Sequence, residues 1–337
     1  MRLTEMSKTI VLVDGDMVAF SHSAAEEYGK EDEDISFSRI QNSMDAKLEY
    51  ISKRLQADEV KVFLSGHKNF RFVINKEYKS NRDGVWRPFN LENAKAHLKT
   101  CWDAYSMDGV EADDLLSCFA KFDYEIELGK FNKIQKLTNK GRHDNKVYIA
   151  SLDKDLAQVG CTLYQWETPH KGEKQIHVEG FGELNLIIKD NGKSKKKEVK
   201  GTGAKFFLWQ LLVGDGTDGI LGCGRREENT YKTGKKAGQR YLKRVGVGAV
   251  EAYELLKNCQ TYPEGLRTVM SQYITRFGSE WKNELISNGR LLYMVNNITD
   301  GNKALMWHYN TDVKEYFDLK RQCLVVPVEG DWVDIKI

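Results

Sequence analysis

Gly109-Val110-Glu111-Ala112-Asp113-Asp114-Leu115 crowds three carboxylates into four residues just where a loop runs into an apolar stretch, Leu115, Leu116, Cys118, Phe119 and Phe122. The stretch reads as a helix start, because free backbone N–H groups and the helix dipole favour negative charge there. One acid is enough for capping. Like charges about 4 Å apart repel by roughly 1 kcal/mol in water and roughly 4 kcal/mol at the effective dielectric of a partly buried site. An acidic helix start on a solvated surface is one account of the stretch. A cation shared by the acids is the other, and oxygen-only ligands select hard ions such as Mg²⁺ or Mn²⁺ over zinc.

Similar acids stand at the ends of other apolar runs, which favours the second account. Thr9 to Val13 is short, continuously apolar and rich in β-branched residues, as expected for a strand buried on both faces, and it ends at Asp14-Gly15-Asp16. Open α/β sheets place ligands at the carboxyl ends of such strands. Val60 to Leu64 is a second strand, leading into Ser65-Gly66-His67 without a carboxylate. Lys146 to Ser151 is a third, followed by Asp153 and Asp155. A helix cap explains Asp155 but leaves Asp153 unexplained. Thr162 to Trp166 and Gln175 to Val178 read as further strands, and Phe37 to Leu55 and Leu91 to Trp102 as helices. Strands separated by helices predict an α/β fold over residues 8–200, with a mostly parallel central sheet flanked by helices.

The lysine-rich stretch Asp190 to Lys200, read as a loop or hairpin tip, marks the boundary. Residues 201–337 are expected to be a helical region, with helices at Phe206 to Val213, Val250 to Leu256, Gly265 to Phe277, Ser279 to Ser287 and Gly289 to Val295. After the first comes Gly214-Asp215-Gly216-Thr217-Asp218-Gly219, whose two acids converge if the backbone curls as glycine permits. An ordinary turn uses the same residues. The insertion 225–244 is basic, carrying Arg225, Arg226, Lys235 and Lys236 among others, and runs into Gly246-Val247-Gly248-Ala249. A Gly-x-Gly turn opening a helix leaves N–H groups for a phosphate. Asn69 to Arg87 interleaves Arg71, Lys79 and Arg82 with Phe72, Tyr78 and Trp86. That pattern suits single-stranded nucleic acid and equally a solvated amphipathic face.

The 41% hydrophobic content of 337 residues supports a folded chain with a sizeable core. Its 51 basic residues nearly cancel 49 acidic ones, but the charges are segregated, with acids at 26–34 and bases at 189–244. Such segregation suits a metal in one place and a polyanion in another. No apolar run approaches the roughly eighteen residues of a membrane span, and Thr9 to Val13 is too short for a signal-peptide core, so a cytoplasmic protein is expected. The six cysteines are scattered without a Cys-x-x-Cys pair, which predicts reduced thiols and no zinc site.

Taken in order, Val-Asp-Gly-Asp (13–16), Glu-Tyr-Lys-Ser-Asn-Arg (77–82), Gly-Val-Glu-Ala-Asp-Asp (109–114), Ser-Leu-Asp-Lys-Asp (151–155), Gly-Asp-Gly-Thr-Asp (214–218) and Gly-Val-Gly-Ala (246–249) resemble the 5′-nuclease superfamily, its phage replicative 5′-to-3′ exonuclease and flap endonuclease branch most of all. The resemblance implies two Mg²⁺ ions, replaceable by Mn²⁺. Asp14, Glu111, Asp113 and Asp114 match one acid group, and Asp153, Asp155, Asp215 and Asp218 the other. It further implies that Lys79 and Arg82 steady the scissile phosphate and that Tyr78 stacks on a terminal base. A helix-three-turn-helix element would grip duplex DNA near Gly246 and Gly248, with a K⁺ ion on its backbone oxygens. Arg71, Arg225, Arg226, Lys235 and Lys236 are further expected DNA contacts. The chain departs from many relatives in lacking an acid after the second strand, and the insertion 225–244 splits the DNA-gripping hairpin.

The expected activity is therefore two-metal hydrolysis of DNA phosphodiesters at 5′ ends, flaps and duplex–single-strand junctions, by a monomer acting in phage-type replication or recombination in the host cytosol. RNA–DNA hybrids are a further substrate class. Two alternatives stand beside it. One is a structure-specific DNA-binding protein of the same fold with weakened catalysis, which the missing acid favours. The other is a PIN-like ribonuclease, against which the Gly-Val-Gly-Ala segment argues.

Overall fold

The computed structural model describes residues 7–31, 34–190 and 195–336. Positions 32 and 33 of the acidic stretch and 191–194 of the lysine-rich stretch lie outside the described residues. β1 (Thr9–Asp14) runs straight into α1 (Gly15–Glu27), capped by Asp14, whose carboxylate accepts from the Met17 N–H. There follow α2 (Phe37–Leu55), β2 (Glu59–Ser65), the short α3 (Arg71–Ile74), α4 (Leu91–Cys101), β3 (Tyr105–Met107) and α5 (Ala112–Lys121). The hairpin β4 (Asp123–Leu128) and β5 (Ile134–Gly141) precedes β6 (Lys146–Ala150), β7 (Thr162–Gln165) and β8 (Lys174–His177).

Six of these strands form one sheet in the order β3-β2-β1-β6-β7-β8, parallel except for the edge strand β8. The expected α/β architecture is therefore present. Alternate β1 side chains serve opposite layers, as strand geometry requires. Val11 and Val13 pack with Ile40, Met44 and Leu48 of α2. Ile10 and Leu12 pack with Leu115, Leu116 and Phe119 of α5. With both faces covered, the polar groups at the carboxyl ends of β1 and β6 are left pointing into one cleft.

The second half begins with the antiparallel pair β9 (Leu184–Asp190) and β10 (Lys195–Gly201), followed by α6 (Gly203–Val213). α6 is apolar nearly all round, and its Phe206, Leu208, Leu211 and Leu212 are buried among the helices that follow. The basic insertion is a two-stranded antiparallel ribbon, β11 (Gly224–Thr230) with β12 (Arg240–Gly246). After it come α7 (Ala249–Leu256), α8 (Tyr262–Phe277) and α9 (Trp281–Leu292).

Two expectations for residues 201–337 are corrected. The separate helices at 279–287 and 289–295 are one helix, α9, which ends at Leu292. The region is also not helical to its end. β13 (Ile298–Thr299), β14 (Lys303–Leu305), β15 (Tyr316–Asp318), β16 (Cys323–Val328) and β17 (Asp331–Ile335) make a five-stranded antiparallel sheet. Its Ile298, Ala304, Phe317 and Leu324 join the core that holds Ile10 and Leu12, so the chain returns to cover the α5 side of the first sheet. Glu329-Gly330, both at positive φ, forms the turn that lets β17 fold back on β16.

Candidate active site

The acids come from four places in the fold. Asp14 ends β1, Asp113 lies in the first turn of α5, Asp153 and Asp155 follow β6, and Asp215 and Asp218 follow α6. Gly214 makes the last turn possible. Its φ is +76°, and a Cβ there would meet the Ile220 carbonyl oxygen at 2.2 Å. A cleft of about 700 Å³ is lined by Asp14, Glu111, Asp113 and Asp153 together with Arg82, Trp86 and Phe20.

Side chains that the sequence did not mark hold this arrangement. Ser151 Oγ donates to Asp14 Oδ2 at 2.7 Å and accepts the Asp153 N–H at 3.0 Å, tying the ends of β1 and β6 together. Gln210 on α6 donates to Asp155 Oδ1 at 2.8 Å. A buried amide on an otherwise apolar helix must find a partner, and that was the available signal for Gln210. Asn81 donates to the Gly216 and Thr217 carbonyls at 2.9 and 3.1 Å, fastening the segment before α4 to the acid loop.

Burial drives the electrostatics. Asp14 is 4% exposed, and burial, then the charge of Asp16, pushes its pKa up to about 7. Burial together with Asp153 and Asp215 pushes Asp155 up to about 7. Asp113 is raised well above the usual carboxylate range by burial and by Asp153 and Asp14. The cations of the site pair elsewhere: Lys79 with Glu111 and Asp218, Arg82 with Asp218, and Lys95 with Asp16. None of them, among the described residues, pairs with Asp14, Asp113, Asp153 or Asp155.

No three His, Cys, Asp or Glu side chains among the described residues stand as a ready coordination sphere. The donor set nevertheless fits a hard divalent cation, because it is oxygen-only, buried and short of positive charge. A test follows from the linkage. A carboxylate with a pKa near 4 unfolded and about 7 folded binds more protons in the native state across that window. Folding stability then falls as pH rises from about 4 to about 7, and the penalty is full above it. In EDTA the Tm is expected to fall between pH 5.5 and pH 8, and Mg²⁺ to raise it more at pH 8 than at pH 5.5. Equal increments in differential scanning fluorimetry would count against a cation at these groups.

Three expected roles are overturned. Asp114 is fully buried, and Arg71 donates to both its oxygens at 2.7 and 2.8 Å while the Val295 N–H donates to it at 2.9 Å. Asp114 is thus a neutralised structural anchor and not a metal ligand. Arg71 is 3% exposed and also donates to the Leu291 and Tyr293 carbonyls, so it is out of reach of DNA. Tyr78 is 3% exposed and its hydroxyl bonds Glu111 and Asp218 at 3.0 Å each, which leaves no ring face for a terminal base. Glu111 does reach the site. Burial pushes its carboxyl up, but Arg71 and Lys79 outweigh that and hold it below the usual range.

The expected DNA contacts divide. Lys235 and Lys236 are exposed at the tip of the β11–β12 ribbon, Lys236 lying 5.8 Å from the Tyr231 ring centre. Arg225 lies over the Phe277 ring at 4.9 Å, and Arg226 pairs with Glu77 at 3.4 Å, beside the Lys79 segment. Gly246 closes the base of the ribbon, where a Cβ would meet the Cys223 oxygen at 2.4 Å. The Gly248 N–H already donates to Glu251 at 3.3 Å. The Arg244 guanidinium donates to the Leu212, Leu221 and Val247 carbonyls at 3.0, 2.8 and 3.2 Å, fastening β12 to the end of α6 and to the segment that opens α7.

No family model matches the chain. It is 30% identical over 230 residues to a 5′-3′ exonuclease of Buchnera aphidicola subsp. Schizaphis graminum (strain Sg), a match covering 64% of this chain and 65% of that relative, just under two thirds of its length. A T5 protein crystallised with metal ions superimposes with a TM-score of 0.52 over 85% of this chain and 89% of its own, at 15% identity. The bacteriophage T5 flap endonuclease, in a pseudo-enzyme-product complex with DNA and metal ions, does so with a TM-score of 0.50 over 83% and 89%, also at 15% identity. At that identity the likeness is one of fold. The sequence match to a 5′-3′ exonuclease and the fold shared with the T5 protein agree with the order of the acidic motifs.

Proposed function

We propose that the chain is a divalent-metal-dependent 5′-to-3′ DNA exonuclease that also cuts 5′ flaps. The observation that carries this reading is the set of buried carboxylates, Asp14, Asp113, Asp153 and Asp155, without an ion pair among the described residues, three of them lining one cleft with Arg82. The names of the exonuclease relative and of the T5 neighbour support it.

Asp14, Asp113, Asp153, Asp155, Asp215 and Asp218 would hold two Mg²⁺ ions, or Mn²⁺, with Glu111 at the edge. When bound, such ions supply Lewis-acid chemistry, activating water for attack and offsetting charge on the leaving 3′ oxygen. The chain's own groups do the rest. Ser151 and Gln210 fix the Asp14 and Asp155 carboxylates in place, so that little reorganisation is needed during the reaction. Glu111 and Asp218 hold Lys79 and Arg82 at the mouth of the cleft, and both cations can turn to a phosphodiester once those acids are engaged. Two cations there offset the charge that builds on the phosphoryl oxygens.

The missing acid after β2 favoured a non-catalytic binder. That place is occupied by Ser65, whose N–H donates to Asp16 at 2.8 Å and whose Oγ accepts the Ala112 N–H at 3.1 Å. An acid is thus present at the end of β2, contributed by α1. A 5′-flap substrate labelled at both ends, with and without Mg²⁺, tests the proposal: short 5′ products and flap release are expected only with the metal. An uncut substrate, or equal cutting of an RNA counterpart, would overturn it.

The exposed ribbon tip is proposed to grip the duplex, since a two-stranded ribbon presents cations along phosphates. Lys235→Ala with Lys236→Ala should make the log–log salt dependence of DNA binding shallower by roughly 1 to 2 units. An unchanged slope by fluorescence anisotropy would remove the ribbon from the interface.

A further inference from the structure

A second pocket of about 640 Å³ is walled by α5, α6, α8 and the segment 293–314. Its described lining includes Lys121, Arg142 and Lys314 and no Asp or Glu. Lys121 and Arg142 have no ion-pair partner among the described residues, and burial together with the charge of Arg142 draws the Lys121 pKa below its ordinary value. Cations gathered without a carboxylate make a site for an anion, just as acids gathered without a base make one for a cation. Tyr262 and Trp307, joined by a 3.1 Å hydrogen bond, give the same pocket an aromatic wall. A ligand with a flat ring and a charged end matches both features.

We propose that this pocket binds a nucleoside monophosphate, its phosphate held among Lys121, Arg142 and Lys314 and its base against Tyr262 and Trp307. The pocket is wired to the acid cleft. Gln158, on its wall, donates to Gln210 at 2.7 Å, and Gln210 donates to Asp155 at 2.8 Å. A ligand that moves Gln158 therefore reaches Asp155 through two hydrogen bonds, and by linkage a cation at Asp155 feeds back on the ligand. That coupling rests on the nuclease reading, whereas the binding does not.

Calorimetry on the full chain in EDTA, with dAMP, deoxyadenosine and inorganic phosphate as probes, tests it. One dAMP site is expected, at least tenfold tighter than either fragment. Arg142→Glu should weaken it at least tenfold, and Asp153→Asn should leave it unchanged. Lys314→Glu serves as a second variant should Arg142→Glu lower the Tm. Absence of dAMP heat, phosphate binding as tightly as dAMP, indifference to both charge reversals, or loss in Asp153→Asn would each overturn the proposal. Persistent dAMP binding by a chain that cuts no DNA would support the pocket and sink only the nuclease reading.

Discussion

Asp153→Asn is expected to slow single-turnover cleavage of a 5′ flap by about a thousandfold, roughly 4 kcal/mol of transition-state stabilisation. Asp153 is the acid that links the two groups. Its charge raises the pKa of Asp113 and Asp155, and its own pKa is raised by burial and by Asp215 and Asp218. The substitution is conservative in every other respect. Asn keeps the side-chain oxygen that accepts the Asp155 N–H at 2.8 Å, so the turn after β6 is retained. What is lost is one negative charge at the centre of the cluster. DNA affinity should hold within about threefold, because the cations proposed to grip the backbone lie on the ribbon and at the cleft mouth. The measurement is single-turnover rate at saturating Mg²⁺ beside anisotropy binding in EDTA. A rate within tenfold of the unmodified chain would sink the assignment, and so would a rate loss matched by equal loss of binding.

Much of this was legible because short-range chemistry and long-range placement coincide. Thr9 to Val13 is β-branched and buried on both faces, and the acid that follows it stands at a sheet's carboxyl end for reasons visible in the sequence. α2 occupies the expected residues because its apolar side chains recur on one face. The partnership of Arg71 with Asp114 was not legible. Arginine among aromatics and three clustered acids read alike whether the charges face solvent, metal or each other. Only the path of the chain through the end of α9 and just beyond it, which brings Leu291, Tyr293 and Val295 beside that pair, buries it. The C-terminal sheet was lost for a related reason. Its strands run from two to six residues, too short for period-two alternation to declare itself, and they are held by packing on a core built from the other end of the chain.

That burial makes the other large prediction one of stability. Arg71→Met is expected to destabilise the fold by about 3–5 kcal/mol, because removing one partner leaves the Asp114 carboxylate enclosed without its countercharge. Two carbonyl acceptors, of Leu291 and Tyr293, lose their donors in the same step. At roughly 2–4 °C per kcal/mol the Tm should drop by on the order of 10 °C. Arg71→Lys keeps a charge but not the planar fork that serves both Asp114 oxygens, and should recover only part of the loss. Pairing Arg71→Met with Asp114→Asn removes the stranded charge, and Asn can still accept the Val295 N–H, so the double variant should be more stable than Arg71→Met alone. An Arg71 that served DNA would behave in the opposite way: Arg71→Met would leave the Tm in place, weaken binding, and gain nothing from the second substitution.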